Sequence, residues 1–219
     1  MRTIRVTGKG QLKVRPDMTR ITMTLSGVYK EYADTLRHAS EDTEALRDLL
    51  SGFGFERGEL KTLSLNVDTE YESYRDKNND YRQRFVGYRS EHVLKVEFAS
   101  DNERLGAVLY ALAHSAVRPE FRISYTVKDP EAVKNTLLGK AVADAKEKAA
   151  VLSQAGGVTL KDIQSIDYSW GEIALEYTPL RSNRLAEYDA APMAKSYSLD
   201  IEPDDIDVSD TVTVIWEIA

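Results

Sequence analysis

Residues 129–157 read DPEAVKNTLLGKAVADAKEKAAVLSQAGG, and this stretch decides the fold class. Asp129 stands where an N-cap accepts hydrogen bonds from the first turn. Pro130 follows at the first helical position, where its missing N–H costs nothing, and Glu131 adds favourable charge. Val133, Leu137, Ala141, Ala145, Ala149, Leu152 and Ala155 recur at steps of three and four and stack into one stripe. Gly156 and Gly157 supply the φ > 0 residue that stops a helix. Such a helix is about 38 Å long. Its central stripe is alanine, so whatever packs there comes close to the backbone. A sheet or a second helix fits that surface better than a ligand pocket does.

Outward from the helix, the composition sets bounds. A length of 219 residues fits one domain, 1–219, or two intimate lobes. With 42% hydrophobic and 30% charged residues the chain is an ordinary soluble globular one. A net charge of −7 argues against nucleic acid, whose binding needs a basic footprint, and Arg82 and Arg84 sit beside acidic and amide neighbours. The absence of cysteine excludes disulfides and thiolate metal sites without deciding a compartment. No window approaches the length of apolar sequence that spans a membrane. Met1 leads straight into the alternating Thr3-Ile4-Arg5-Val6, with no apolar leader. The expected location is therefore cytoplasmic, or periplasmic or extracellular if a leader was removed.

Before the long helix the pattern is mostly strand. Thr3 to Gly8 alternates, Gly8-Lys9-Gly10 reads as a turn between two β segments, and Met18 to Val28 alternates again after Pro16-Asp17. Ala33 to Leu50 carries helical spacing. Leu60 to Tyr74 and Phe85 to Ala99 read as the two strands of a long hairpin whose tip, Arg75 to Arg84, is polar throughout. Ser100 and Glu103 match a capping box that opens a helix through Ala116. Glu120 to Lys128 alternates cleanly. After the long helix, Ile163 to Trp170 is strand-like, Gly171 to Ser196 has no period, Tyr197 to Ile201 is a short strand, and Thr211 to Ile218 closes the chain. The expected fold class is α+β, antiparallel β-sheets with three helices packed on one face.

With these motifs placed, the sequence resembles the SIMPL-domain family, bacterial proteins that include periplasmic immunogenic and oxidative-stress-associated members. The matching residues are Val6-Thr7-Gly8-Lys9-Gly10 and Val14-Arg15-Pro16-Asp17, then Lys61-Thr62-Leu63 with Tyr71, and Gly87-Tyr88-Arg89. Ala141, Ala145, Lys148-Ala149, Leu152 and Gly156-Gly157 follow, with Ile201 to Ile218 as the closing segment. The resemblance implies a SIMPL-like α+β fold, a tendency to large oligomers, no established catalytic activity, and a link to stress defence.

The residues themselves offer little chemistry. His38, His92 and His114 show no metal-ligand spacing, the acidic run Asp200 to Asp210 lacks the glycine and terminal Glu of a calcium loop, and no G-x-S-x-G elbow is present. No enzyme activity, cofactor or metal is expected. Lys148 falls on the apolar face of the long helix; either its stem snorkels to the rim, or its ammonium meets a carboxylate, for which Asp17 is the named partner in a structural ion pair. Asp17 after Pro16 otherwise makes an Asx-turn. Tyr71, Tyr74 and Tyr88 are the candidate liners of a small-molecule or peptide groove, the ligand being unknown. The leading expectation is a non-enzymatic protein whose partner is itself, a homo-oligomer held through the long hairpin. Val67, Tyr71, Phe85 and Tyr88 leave that arm weakly charged and rich in aromatic residues.

Overall fold

The computed structural model describes residues 2–168, 173, 175–179 and 201–219. Its elements run β1 (Arg2–Val14), β2 (Met18–Tyr29), α1 (Tyr32–Ser51), β3 (Lys61–Arg75), β4 (Tyr81–Ala99), α2 (Asn102–His114), β5 (Glu120–Thr126), α3 (Pro130–Ala155), β6 (Leu160–Tyr168), β7 (Glu176–Tyr177) and β8 (Ile206–Ile218). Two antiparallel sheets and three helices make an α+β fold. The chain forms two compact units, the first from Met1–Asp17, Tyr125–Tyr177 and Pro203–Ala219, the second from Met18–Ser124 and Thr178–Glu202.

In the first unit, α3 lies on a sheet of order β1-β8-β6. Asp129 caps the helix through the Ala132 N–H at 2.9 Å, and Gly157 takes φ +65° just beyond its end. The alanine stripe is the buried face, with Ala141, Ala145 and Ala149 each 0% exposed against Val6, Val212, Val214 and Trp216, and Leu137, also 0% exposed, against Ile206 and Val208. Leu152 lies outside that face at 52% exposure, and Ser153 takes the last buried place.

The closest approach is at Gly8 and Gly10. A Cβ on Gly8 would strike the Ala141 carbonyl oxygen and lie 2.7 Å from the Ala145 Cβ; one on Gly10 would strike the Leu137 carbonyl. The turn expected at Gly8-Lys9-Gly10 is therefore overturned. β1 runs through it unbroken, and the missing side chains let the helix backbone settle onto the strand. No hairpin joins β1 to β2 either. β1 pairs along its whole length with β8, from Arg2 opposite Ile218 to Val14 opposite Ile206.

In the second unit the strands run in the order β3-β4-β2-β5. β5 continues into the first unit, where Tyr125 and Thr126 pair with Tyr177 and Glu176 of β7. Ile21, Met23 and Leu25 of β2 and Leu94, Val96 and Phe98 of β4 share a core with Leu46 and Leu50 of α1 and Leu105, Val108, Leu109 and Leu112 of α2. The cap of α2 is Asp101 rather than Ser100: its Oδ1 accepts from the Glu103 and Arg104 N–H groups at 2.9 and 3.1 Å. The strand expected at Glu120 to Lys128 ends at Thr126. Residues 169–172, 174 and 180–200, which hold most of the aperiodic stretch and nearly all of the expected strand at Tyr197 to Ile201, lie outside the described residues. No helix among the described residues is long and apolar enough to cross a membrane.

Candidate functional site

The hairpin β3–β4 outruns the sheet that carries it. Tyr29 opposite Tyr88 is the last pair between β2 and β4, and beyond it, among the described residues, only β3 and β4 continue, from Thr69 opposite Tyr88 to Arg75 opposite Tyr81. That arm is about 20 Å long. Gly87 lies where β2 stops, and a Cβ there would sit 2.8 Å from the Tyr29 carbonyl carbon. The register shifts between Glu70 and Tyr71, so the strand that lifts off the body is re-aimed as it leaves.

Alternation sorts the arm into two unlike faces. Leu65, Val67, Thr69 and Tyr71 share one face with Phe85 and Tyr88 through their pairings. The rings there form a ladder of edge-on contacts: Tyr71 to Phe85 at 5.7 Å, Phe85 to Tyr88 at 5.4 Å, and Tyr88 to Tyr32 of α1 at 5.4 Å. Tyr71 is 53% exposed, Phe85 44% and Tyr32 50%. This face carries no charge from Leu65 to Ser73.

The opposite face is charged and internally paired. Arg89 holds Glu70 with two hydrogen bonds of 2.7 and 2.8 Å, Arg84 holds Glu72, and Arg84 lies 6.0 Å from the Tyr74 ring centre. The tip is organised by Asp76, which accepts from the Asn78 and Asp80 N–H groups at 2.9 and 3.1 Å and from Arg82 Nε at 2.6 Å. Hydrogen bonding to Arg82, then to those two amides, holds the Asp76 carboxyl below its ordinary range; Arg89 does the same for Glu70. Asn79 closes the turn at φ +67°, a conformation asparagine tolerates.

Tyr71 and Tyr88 thus share one strip through Phe85, while Tyr74 belongs to the other face. Tyr32 was not singled out in the sequence. It sits at the first position of a helix, where the pattern gives no sign that the ring reaches a strand 56 residues away. Lys148 and Asp17 each have a different partner from the one named. Lys148 Nζ lies 2.7 Å from Asp144 Oδ2, one helical turn away, and Asp144 Oδ2 also accepts the Lys9 N–H of β1 at 2.6 Å. Asp17 Oδ1 accepts the Lys128 N–H at 2.7 Å, the Asx-type role. Lys148 therefore snorkels, 49% exposed, towards a carboxylate that secures the edge of β1.

Elsewhere the chemistry is sparse. His92 is buried between Thr43 and Thr62, 2.9 Å from each hydroxyl, whereas His38 approaches Glu41 and His114 the Tyr110 carbonyl. Among the described residues no three His, Asp or Glu side chains gather as a metal site. An open depression of about 590 Å³ in the first unit is lined by Gln11, Leu12, Lys13, Lys140, Asp207 and Val208 among others, with no aromatic ring.

The sequence pattern of the SIMPL family, described as a protein of unknown function (DUF541), matches residues 4–216. Two relatives are 26 kDa periplasmic immunogenic proteins, from Brucella melitensis biotype 1 and Brucella abortus strain S19. They are 27% and 26% identical over 163 residues, 74% of this chain, and the match spans 65% of each relative's length.

Proposed function

The chain belongs to the SIMPL family, and from that premise we propose that it works without catalysis, as a homo-oligomer assembled through the β3–β4 arm. The observation that carries the reading is the aromatic strip on a two-stranded ribbon. A lone ribbon in water is marginally stable, and its exposed rings gain most by burial against another surface. Three half-exposed rings offer about 300 Å² per copy, and the strand edge and neighbouring leucines add to it. Pairing of the charged face within each arm leaves the apolar face as the one to be covered. The names of the relatives support a periplasmic site for this assembly. Stress defence is the role that the family resemblance implies for it.

Size exclusion with light scattering at micromolar concentration tests the reading. The expected species is a multiple of the 24.6 kDa chain mass, and Tyr71→Asp returns it to the single mass. A wild-type protein that elutes only at the single mass overturns assembly. A second reading, a small-molecule or peptide site along Tyr71 and Tyr88, is favoured by the same ladder and predicts that single mass. Tyr74 has no part in such a site.

A further inference from the structure

The partner of the arm has a geometry that can be read from β3. Among the described residues β3 has one strand neighbour, β4, so its outer edge carries unpaired N–H and C=O groups over Lys61–Arg75. Edges of this kind are ordinarily blocked. On β1 the Asp144 carboxylate reaches over from α3 and takes the Lys9 N–H. Among the described residues no such side chain is bonded to the β3 backbone from outside, and Leu63 and Leu65 beside the edge are 53% and 47% exposed.

We propose that a second copy of this chain pairs with that edge, β3 against β3, antiparallel about a two-fold axis at Val67. This rests on the assembly reading and names its contact. A two-fold axis normal to the sheet keeps matching faces together, so each residue must oppose one of its own parity. Within that restriction the charges select the register. About Val67, Asp68 opposes Asn66, Glu70 opposes Ser64, Glu72 opposes Thr62 and Lys61 opposes Ser73. No like charges meet. Moved to Asp68, the axis sets Asp68 against itself and Lys61 against Arg75. At Thr69 it sets Asp68 against Glu70, and at Glu70 it sets that residue against itself. Like charges directly opposite destabilise a sheet. Axes at Asn66 or Leu65 avoid the clash but shorten the overlap to Lys61–Tyr71 or Lys61–Thr69. Val67 therefore centres the longest overlap free of repulsion.

The apolar face agrees with this choice. Leu65 meets Thr69 of the second copy and Val67 meets its own counterpart, so the strip of one copy runs on into the strip of the other. Ser64 to Glu70, the seat of the pairing, lies between the two register irregularities of the hairpin.

The absence of native cysteine makes the test clean. Val67→Cys, oxidised in the native state, is expected to run almost entirely as a disulfide dimer on a non-reducing gel. Leu65→Cys and Thr69→Cys each lie four residues from their own counterparts, about 14 Å, beyond disulfide reach, and stay monomeric on the gel. Circular dichroism on each variant establishes that it is folded before oxidation. An oligomer by light scattering in which Val67→Cys fails to crosslink overturns β3 pairing and leaves assembly standing. Dominant crosslinking at Asp68→Cys overturns the register. A single-mass species overturns assembly and the pairing together.

Discussion

Gly8 leaves no room for a methyl group, because the Ala141 carbonyl and the Ala145 side chain already occupy the space. Gly8→Ala should force α3 off β1 and cost about 3 kcal/mol in urea melts. Lys148→Ala, which breaks only a half-exposed ion pair, should cost under about 1 kcal/mol. Equal losses would mean that packing at Gly8 is not what limits the unit. His92 gives the second prediction at this scale. Thr43 donates to the Ala39 carbonyl, so its oxygen accepts from His92 Nδ1–H and leaves Nε2 to accept from Thr62. Burial first, and the Arg47 charge second, push the His92 pKa below its ordinary value. The unfolded chain thus binds this proton more readily. The stability it contributes is present above the unfolded pKa, near 6.5, and falls as pH drops from there towards the lower folded value, by at most about 1.4 kcal/mol per pH unit. Melts between pH 7.5 and 5.5 should show the fall, and His92→Gln should flatten it. Both sites were partly legible in the sequence. A glycine in alternating sequence signals either a turn or a close approach, and only the helix above Gly8 decides between them. Lys148 was legible as a charge on an apolar face, but Asp144, one turn away, competes for it at much lower entropic cost than a carboxylate distant in sequence.

Elements were read best where local chemistry fixes their ends. Asp129, Pro130 and the double glycine delimit α3 in the sequence as they do in the fold. The polar tip between alternating strands gave the arm, since Asp and Asn runs close turns with their own side chains. The start of α2 was read one residue early. Ser100 and Glu103 fit the capping spacing, but Asp101 offers a carboxylate oxygen that accepts two amides at once. Asp101→Ala should therefore cost about 1 kcal/mol, whereas Ser100→Ala should cost less than half of that. The Ser100 hydroxyl receives a long 3.3 Å bond from Thr19. A larger loss at Ser100 would reinstate the hydroxyl cap.

At the scale of the molecule, what local pattern cannot carry is the pairing of distant strands. β8 lies between β1 and β6, so the first and last strands of the chain build one sheet, and neither announces the other in sequence. The two units leave no linker signature either, because the chain passes between them at Asp17, inside β5, and again after Tyr177 and Glu202. Charge and composition, by contrast, were legible throughout, and the hairpin pattern with the family resemblance left self-association through the arm as the leading expectation. The proposed assembly has a thermodynamic consequence for the whole fold. A second copy bound to the folded arm and not to the unfolded chain would stabilise the native state by mass action. Each tenfold rise in concentration should lift the melting temperature of the arm-bearing unit by about 2 °C. Tyr71→Asp should melt at one temperature at every concentration, close to the wild-type value at high dilution. Differential scanning calorimetry over a hundredfold range of concentration separates the cases. A wild-type melting temperature that does not move would mean that the aromatic strip is not buried by a second copy in the folded state.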